Sequence, residues 1–599
     1  MLFEKSAVLN PSKSVICDKS ALQSPVSFKI WLFYGKITFW HGFCKPFAET
    51  FKIMNTAEVL IKSLESEGVK YIFGIPGEET LELMEAINKS SIKFITVRHE
   101  QGAAFMADVY GRLTGKAGVC LSTLGPGATN LVTGVADANS DGAPLIAITG
   151  QVGTERMHLT SHQYLDLVNM FTPITKRSKQ VVRPDTVNEI VRIAFKYAEM
   201  EKPGACHIDL PCNIAAMEVE GEVAQTPLKH HRENTVYAST DAILAAGGVF
   251  ANAKRPVVLV GHSAVRNHAS EALRAFVSSS KIPVVCTMMA KGVIPTCEKY
   301  FMGCIGLPQR DYPNIVMEQA DLVIAVGYDV VEYAPAKWNP NGDKMIIHID
   351  ETPNHVNKFY QPDEEIIGDI SASLDALCSV CPNSWEPEWA MQIRAMMVAE
   401  HSRYDHDTSF PPTPQKVLHD IRLVLDEDDI LISDVGAHKM WIARQYNCDH
   451  PNTCIISNGF ATMGIAVPGA IAAKLLNPKK KVLAVTGDGG FMMNSQELET
   501  AYREHIPFVT LIFTDGGYGL IKWKQEERYG DSYAVEFTNP DYVKYAESLH
   551  LKGYRIERTE DLPSTLREAF RQDVPSIIEC PVDYSANMEL SQYLKNLKI

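Results

Sequence analysis

Short, mostly continuous apolar runs alternate with segments of helical periodicity along most of this chain. A helical pattern over 56–67 leads to Gly68, to an apolar run at 69–73 and to a turn at 74–77. The later runs predicted to be strands are 94–97, 118–122, 145–149, 256–261, 282–286, 322–326, 345–350, 430–433, 482–486, 508–513 and 576–580. Such continuous apolar runs are typical of parallel strands that helices cover on both faces. We therefore predict an α/β fold with three doubly wound parallel sheets.

Two polar stretches that contain proline, 220–240 and 383–414, divide the chain into three units. The residues before Met54 differ from the rest, because they lack arginine and cluster aromatic side chains among lysines. We expect this N-terminal extension to be disordered or not native. The predicted boundaries are 1–53 for the extension, 54–222 for the first unit, 240–381 for the central unit, 412–585 for the third unit and 586–599 for a C-terminal tail.

The composition restricts the class of partner. A length of 599 residues requires several cores, and 46% hydrophobic with 22% charged residues is typical of a globular protein. A net charge of −15 disfavours nucleic acid and anionic membranes as partners, and no apolar run approaches the roughly 18 residues of a membrane span. Thirteen scattered cysteines indicate reduced thiols. We expect a cytoplasmic protein that acts on small molecules.

The clearest chemical pattern is a glycine-rich acidic turn after the run at 482–486. It contains Asp488, Gly489 and Gly490, and a second acid, Asp515, follows the run at 508–513 with Gly517 close behind. The carboxyl ends of parallel strands meet at one crevice, so both carboxylates can reach the same ligand. Glycines let backbone N–H groups approach a phosphate, and oxygen donors suit Mg²⁺. Gly-Asp-Gly alone is also a common turn.

Two further segments carry candidate chemistry. Glu100 follows a predicted strand and opens a helix, a position that a purely structural acid also favours because of the helix dipole. It lies after Pro76 of the 74–77 turn and before the glycine-rich loop 125–130. A second group consists of Gly436, Ala437 and His438 with Ala461 and Met463. On its own, Met463 would be interpreted as a core residue.

Taken in order, these segments resemble the thiamine-diphosphate enzymes, and from about Met54 onward they are most similar to the acetolactate synthase family in its flavin-independent catabolic form. The stretches that carry the narrower resemblance are 98–103, 162–163, 171–176, 331–338, 361–370 and 581–584. The resemblance implies a pyrimidine-binding first unit, a central unit and a third unit that binds diphosphate and magnesium. It implies thiamine diphosphate and Mg²⁺ as cofactors.

The resemblance also assigns roles to single residues. Asp488 and Asp515 would be magnesium ligands, with Gly517 offering its carbonyl, and Glu100 would hydrogen-bond N1′ of the aminopyrimidine to help deprotonate thiazolium C2. Gln163 would help to handle the reacting keto acid. The remaining predicted cofactor contacts are Pro76, Gly436, Ala437, His438, Ala461, Met463, Gly489 and Gly490. Three positions depart from common family residues: Asp515 stands for asparagine, Ala437 for glutamine and Ala461 for glycine.

The implied reaction is decarboxylation of pyruvate followed by transfer of the two-carbon unit to a second pyruvate, which gives 2-acetolactate and CO₂. Family sites form between subunits, so we expect a homodimer or homotetramer. We predict no FAD, because the central unit lacks basic residues for it. Lys524 stands where synthases that prefer 2-ketobutyrate carry tryptophan, with Trp523 one place earlier, so we predict a preference for pyruvate as acceptor.

Three other interpretations are considered. The nearest is a different thiamine-diphosphate decarboxylase, oxidase or carboligase. The second is a non-catalytic binding module, which the presence of Glu100 and Asp488 disfavours. The third is a nicotinamide dehydrogenase, which the absence of a Gly-x-Gly-x-x-Gly turn after a strand disfavours.

Overall fold

The computed structural model describes residues 53–230, 235–383 and 385–597. Apart from Ile53, the predicted N-terminal extension lies outside these residues. Three six-stranded sheets, parallel throughout, run along the chain in order, so the predicted α/β class with three parallel sheets is confirmed.

The first sheet has the strand order β2-β1-β3-β4-β6-β5. Its strands are β1 Tyr71–Gly74, β2 Lys93–Thr96, β3 Gly118–Ser122, β4 Leu145–Gln151, β5 Arg177–Gln180 and β6 Ala205–Pro211. Its helices are α1 Thr56–Ser66, α2 Leu81–Asn88, α3 Glu100–Thr114, α4 Pro126–Asp141, α5 Leu167–Phe171, α6 Val187–Glu199 and α7 Cys212–Ala216. Asn55 begins α1 with a capping box, since its side chain accepts the N–H of Glu58 at 2.8 Å while the Glu58 carboxylate accepts the N–H of Asn55.

The central sheet has the order β12-β11-β10-β7-β8-β9, which is the 3-2-1-4-5-6 order of dinucleotide-binding folds. Its strands are β7 Pro256–Val260, β8 Val284–Thr287, β9 Phe301–Ile305, β10 Leu322–Val326, β11 Met345–Asp350 and β12 Glu364–Ile367. Its helices are α8 Thr240–Asn252, α9 His262–Arg266, α10 Ser270–Ser280, α11 Tyr312–Gln319, α12 Ile370–Leu377 and α13 Glu388–His401. Helix α13 lies within the stretch that the sequence analysis treated as a connection.

The third sheet has the order β14-β13-β15-β16-β18-β17, which repeats the order of the first sheet. Its strands are β13 Ile430–Ser433, β14 Cys454–Ile456, β15 Val482–Gly487, β16 Val509–Thr514, β17 Lys552–Arg555 and β18 Ser576–Pro581. Its helices are α14 Pro414–Arg422, α15 Ala437–Gln445, α16 Ala466–Leu476, α17 Asp488–Asn494, α18 Glu497–Arg503, α19 Gly519–Tyr529, α20 Tyr542–Ser548, α21 Leu562–Ala569 and α22 Ser585–Asn596. Helix α22 occupies most of the predicted tail and buries Leu590 and Leu594 in the core of this unit.

The first and third units share one hydrophobic core, in which α3 packs on α16. A Cβ atom on Gly469 would lie 2.9 Å from a methyl group of Val109, so the glycine permits this close packing. At the start of α3, the buried carboxylate of Glu497 accepts the N–H of His99 at 2.9 Å and that of Arg98 at 3.1 Å. These contacts fix the position of Glu100 relative to the third unit.

A buried histidine in the first sheet makes the stability of this unit depend on pH. The His207 ring lies 2.9 Å from Thr149 Oγ1 and 2.8 Å from Ser178 Oγ, and burial lowers its pKa to about 3. The unfolded chain protonates His207 near pH 6.5, so the stability that the neutral ring contributes is lost as the pH falls below that value. We expect a loss of about 2 kcal/mol at pH 5 relative to pH 7 from this residue.

Urea unfolding of the chain and of His207→Gln at pH 7 and pH 5 tests this effect, because glutamine cannot take up the proton. The unaltered chain should lose more stability on acidification than the variant does. Asp209, which shares Thr149 as a partner, has a pKa raised to about 6 by burial and acts with the opposite sign, but it is present in both proteins. Equal losses for the two proteins would contradict the prediction.

Candidate functional site

A cavity of about 180 Å³ opens at the carboxyl edge of the third sheet, beside the ends of β13, β15 and β16. Strand order reverses between β13 and β15, and such a switch point leaves a crevice that ligands occupy in open α/β sheets. The lining residues are Val435, Gly436, Ala437, His438, Ala461, Met463, Gly487, Asp488, Gly489, Gly490, Phe513, Asp515, Gly517, Tyr518, Gly519, Leu520, Ile521 and Tyr584. The cavity therefore brings together every cofactor contact and metal ligand predicted in the third unit.

Asp488 begins α17 directly after β15 and is almost fully buried. One carboxylate oxygen accepts the N–H of Gly489 at 2.9 Å. The other accepts the N–H of Gly516 at 2.8 Å and the side-chain amide of Asn539 at 2.7 Å. These bonds hold the carboxylate against the cavity, where it can ligate a cation.

Asp515 follows β16 on the neighbouring loop and lines the same cavity. Burial, reinforced by the charge of Asp488, raises the pKa of its carboxyl to about 7. A divalent cation between the two acids would relieve this repulsion and favour the ionised form. Because the described residues contain no group of three acidic, histidine or cysteine ligands, an ion here would need backbone, water or ligand oxygens as well.

His438 contributes a neutral ring to the site. It lies in the first turn of α15 and is buried, and its Nε2 atom has no hydrogen-bond partner. Burial lowers its pKa to about 3, so the ring stays neutral. A buried polar atom without a partner is costly, and a phosphate oxygen would satisfy Nε2 in the tautomer that carries the proton on this atom. The donor set of the cavity thus fits a magnesium-bound diphosphate.

The loop between β14 and α16 forms another wall of the cavity. It carries Ala461, which has a left-handed φ of 60°, and Met463. The next residue, Gly464, has φ 92°, and its N–H is accepted by the buried Asp434 carboxylate at 2.8 Å. A residue of the third unit, Asp434, therefore fixes the conformation of this loop at Gly464.

The residues predicted in the first unit lie at the carboxyl edge of the first sheet. Glu100 is 7% exposed, and one of its carboxylate oxygens accepts the side-chain amide of Asn130 at 2.9 Å. Gln163, with φ 57°, packs its backbone against Gly125 of the loop before α4, and Pro76 is exposed in the loop after β1. None of the three predicted residues lines the cavity of the third unit in the same chain.

Large apolar side chains remain exposed in the segments that surround the cavity. They are between 41% and 52% exposed in a single chain and comprise Phe460, Met492, Met493, Tyr518 and Ile521. Such a concentration of exposed apolar residues is typical of a protein interface.

Several residues of the site were not anticipated from the sequence. Tyr518, Leu520 and Ile521 enter the cavity because α19 begins at its rim. Asn539 reaches Asp488 from a distant loop. Tyr518 directly follows the predicted ligand Gly517 in the sequence, and this adjacency is the one sequence feature that indicated any of these residues.

The carboxyl edge of the central sheet has a different character. Its switch point lies between β7 and β10, where a carboxylate oxygen of Glu332 accepts the N–H of His262 at 2.9 Å. The other oxygen accepts the Thr287 hydroxyl at 2.5 Å. Burial raises the pKa of Glu332 to about 7. An acid of the chain itself thus accepts an N–H at the start of α9, at the edge of the sheet where nucleotide phosphates bind in such folds.

Comparisons with known proteins agree with this architecture. Family patterns described as thiamine pyrophosphate enzyme, N-terminal TPP binding domain, central domain and C-terminal TPP binding domain match residues 54–170, 241–377 and 434–580. None of the helices among the described residues combines the length and the apolar character that a membrane span requires.

Individual relatives cover nearly the whole chain. An acetolactate synthase of Bacillus subtilis is 37% identical over 89% of this chain and 94% of its own length. A catabolic acetolactate synthase of Raoultella terrigena is 37% identical over 90% of this chain and 98% of its own. A probable acetolactate synthase large subunit of Methanocaldococcus jannaschii is 36% identical over 88% and 92%. The chain therefore belongs to the acetolactate synthase family of thiamine pyrophosphate enzymes.

Proposed function

We propose that this protein decarboxylates pyruvate and joins the remaining two-carbon unit to a second pyruvate, releasing 2-acetolactate and CO₂. The observation that carries the proposal is the cavity that gathers Asp488, Asp515, His438 and Met463 within the segment matched to the C-terminal TPP binding domain. Incubation of the purified chain with pyruvate, thiamine diphosphate and Mg²⁺ should yield acetolactate. Acetaldehyde or acetyl phosphate as the main product would instead favour a decarboxylase or an oxidase.

Different residues of the cavity would bind different parts of the coenzyme. Asp488 and Asp515 would hold Mg²⁺ together with the Gly517 carbonyl, and His438 would donate to a diphosphate oxygen. Backbone N–H groups of Gly436, Ala437 and Gly490 are the further donors that we assign to the diphosphate, whereas the N–H of Gly489 is already accepted by Asp488. Thiamine diphosphate, when bound, supplies the nucleophilic carbon and the electron-accepting ring for decarboxylation.

Apolar side chains would support the coenzyme and exclude water, and an acidic side chain would exchange a proton with it. Met463 and Ala461 would support the middle of the coenzyme, and Leu520 and Ile521 would keep water from the reacting atoms, since a proton from water would divert the two-carbon unit to acetaldehyde. Glu100 would exchange a proton with the pyrimidine ring nitrogen of the coenzyme, and Pro76 would lie beside that ring. Gln163 would bind the keto acid.

We also propose that the working protein is a homodimer or a homotetramer, in which the first unit of one subunit completes the cavity of its partner. Two observations support this arrangement: Glu100 does not line the cavity of its own chain, and apolar side chains around that cavity are exposed. The eleven free cysteines among the described residues support a location in the reducing cytoplasm.

A mixture of two inactive variants tests whether the sites are shared. Glu100→Gln and Asp488→Asn should each be inactive alone. A mixed dimer contains one site with both native residues, so random reassociation should restore about one quarter of the native activity. If both residues served the same chain, the mixture would stay inactive, which would overturn the shared site.

We further propose that no flavin binds, because the Glu332 carboxylate lies at the edge of the central sheet where nucleotide phosphates bind in such folds. A bound FAD would have to displace a carboxylate that already satisfies the N–H of His262. The purified protein should therefore lack visible flavin absorbance, and dialysis against FAD followed by its removal should not introduce any. Stoichiometric yellow colour would contradict the proposal.

For the acceptor, we propose a preference for pyruvate over 2-ketobutyrate. Trp523 is buried, donates its indole N–H to Ser591 at 2.9 Å and stacks on Trp441, so it belongs to the core. Lys524 is exposed on α19 beyond the cavity residues Leu520 and Ile521.

A further inference from the structure

A fully buried ionic cluster joins α3 to α4 in the first unit. Arg112 donates from Nε to one oxygen of Asp108 at 2.6 Å, and from Nη2 to Asp137 at 3.0 Å and to Asp141 at 2.9 Å. All four side chains are at most 2% exposed. Three acids around one arginine leave negative charge that needs further donors.

These donors come from the third unit, in the segment 457–462 that follows β14. Asp141 accepts three consecutive backbone N–H groups, those of Asn458 at 3.0 Å, Gly459 at 2.6 Å and Phe460 at 3.2 Å. A Cβ atom on Gly459 would lie 2.4 Å from the Asp141 carboxylate, so the fit depends on glycine. The Asp141 carboxylate thus accepts every backbone N–H from Asn458 to Phe460.

Asp137 holds the same segment through side chains. One of its oxygens accepts the hydroxyl of Ser457 at 2.8 Å and that of Thr462 at 2.5 Å. The buried Lys439 ammonium also donates to the carbonyl of Ser457 and to the side-chain oxygen of Asn458, both at 3.1 Å. The segment is thus held at both ends by buried side chains.

This segment contains Ala461 and is followed directly by Met463, and both residues line the cavity. We infer that Asp141, assisted by Asp137, is a positioning residue that sets the Ala461–Met463 wall against the coenzyme. The inference rests on the proposed function, because that wall is assigned to thiamine diphosphate. The first unit of a chain then shapes the cavity of the same chain, although its Glu100 does not line that cavity.

The substitution Asp141→Asn tests this role with little change in volume. In the aspartate, one oxygen accepts from Gly459 and Phe460, and the other accepts from Asn458 and Arg112. The amide group of asparagine would turn an N–H₂ toward one of these pairs of donors, so at least one backbone N–H of the segment would lose its acceptor. We expect the Kd for thiamine diphosphate with Mg²⁺ to rise at least about tenfold.

Magnesium pyrophosphate is the probe that separates positioning from general damage, because it needs only the diphosphate end of the cavity. Its Kd should change by less than about twofold in Asp141→Asn. Asp108→Asn is the matched control, since it removes the same charge from the same buried cluster but contacts Arg112 and not the 457–462 segment. It should leave both affinities within about threefold.

Thr462→Val removes the hydroxyl that Asp137 accepts and keeps the side-chain shape, so it tests the same role from the loop side. It should weaken thiamine diphosphate binding about threefold and spare pyrophosphate. Unchanged coenzyme affinity in Asp141→Asn would overturn the positioning role of Asp141 but not the proposed function. If Asp141→Asn does not fold, unchanged affinity in Thr462→Val would have the same meaning. Equal weakening of both probes, or equal weakening in Asp108→Asn, would also overturn this role. Absence of coenzyme binding by the unaltered chain would overturn the proposed function with it.

Discussion

Replacement of Glu100 by glutamine is expected to lower kcat for acetolactate formation by about 10²- to 10⁴-fold and to leave thiamine diphosphate affinity within about threefold. Glutamine keeps the size of the side chain and can still pair with Asn130, but it cannot exchange a proton. Steady-state assays of acetolactate, with coenzyme affinity measured separately by tryptophan quenching, distinguish the two effects.

Glu79→Gln is the matched control for this experiment. Glu79 lies at the same edge of the first sheet and accepts the Thr123 hydroxyl at 2.9 Å, but it has no assigned role with the coenzyme. Its substitution should change kcat by less than about twofold. Undiminished turnover in Glu100→Gln would show that Glu100 is not the proton-exchanging group.

Replacement of Asp488 by asparagine is expected to raise the concentrations of Mg²⁺ and thiamine diphosphate needed for half-maximal activity at least about 100-fold. The carboxylate accepts N–H groups on both oxygens, so the amide of asparagine would face a buried donor as well as removing the ligand charge. Titration of activity with Mg²⁺, and calorimetric titration with the coenzyme, measure the change.

Asp541→Asn provides the control within the third unit. Asp541 pairs with Arg555 at the surface and caps α20, and it lies outside the cavity. Its magnesium dependence should match that of the unaltered protein. A normal magnesium requirement in Asp488→Asn would exclude Asp488 as a ligand.

Most strands inside the sheets were predictable from the sequence, whereas five of the six edge strands were not. Runs such as 118–122, 322–326 and 345–350 coincide with β3, β10 and β11, because central parallel strands are apolar on both faces. The strands without a prediction include β5, β9, β12, β14 and β17, which are all edge strands. Residues in β5 and β17 are largely charged or polar, since one side of an edge strand meets water.

The remaining strand without a prediction, β6, lies inside the first sheet. Its sequence includes His207 and Asp209, which interrupt the apolar pattern. Both are buried, and both find partners on neighbouring strands, including the Thr149 hydroxyl. A buried polar residue whose partner is distant in sequence cannot be distinguished from a surface residue by pattern alone.

The same distinction applies to the site. The placement of Asp488 and Asp515 at one cavity was predictable, because each directly follows an apolar strand and has glycine neighbours. Asn539 and Asp141 were not, since each acts on a residue brought near only by the folded chain. Sequence patterns indicate the groups that would touch a ligand, whereas the groups that orient them depend on tertiary contacts.

The exposed apolar side chains around the cavity affect how the protein must be handled. Phe460, Met492 and Ile521 would meet water in any isolated subunit, which favours nonspecific aggregation. If self-association buries these side chains, the melting temperature depends on the protein concentration. Melting temperatures of variants then have meaning only when they are compared at one subunit concentration.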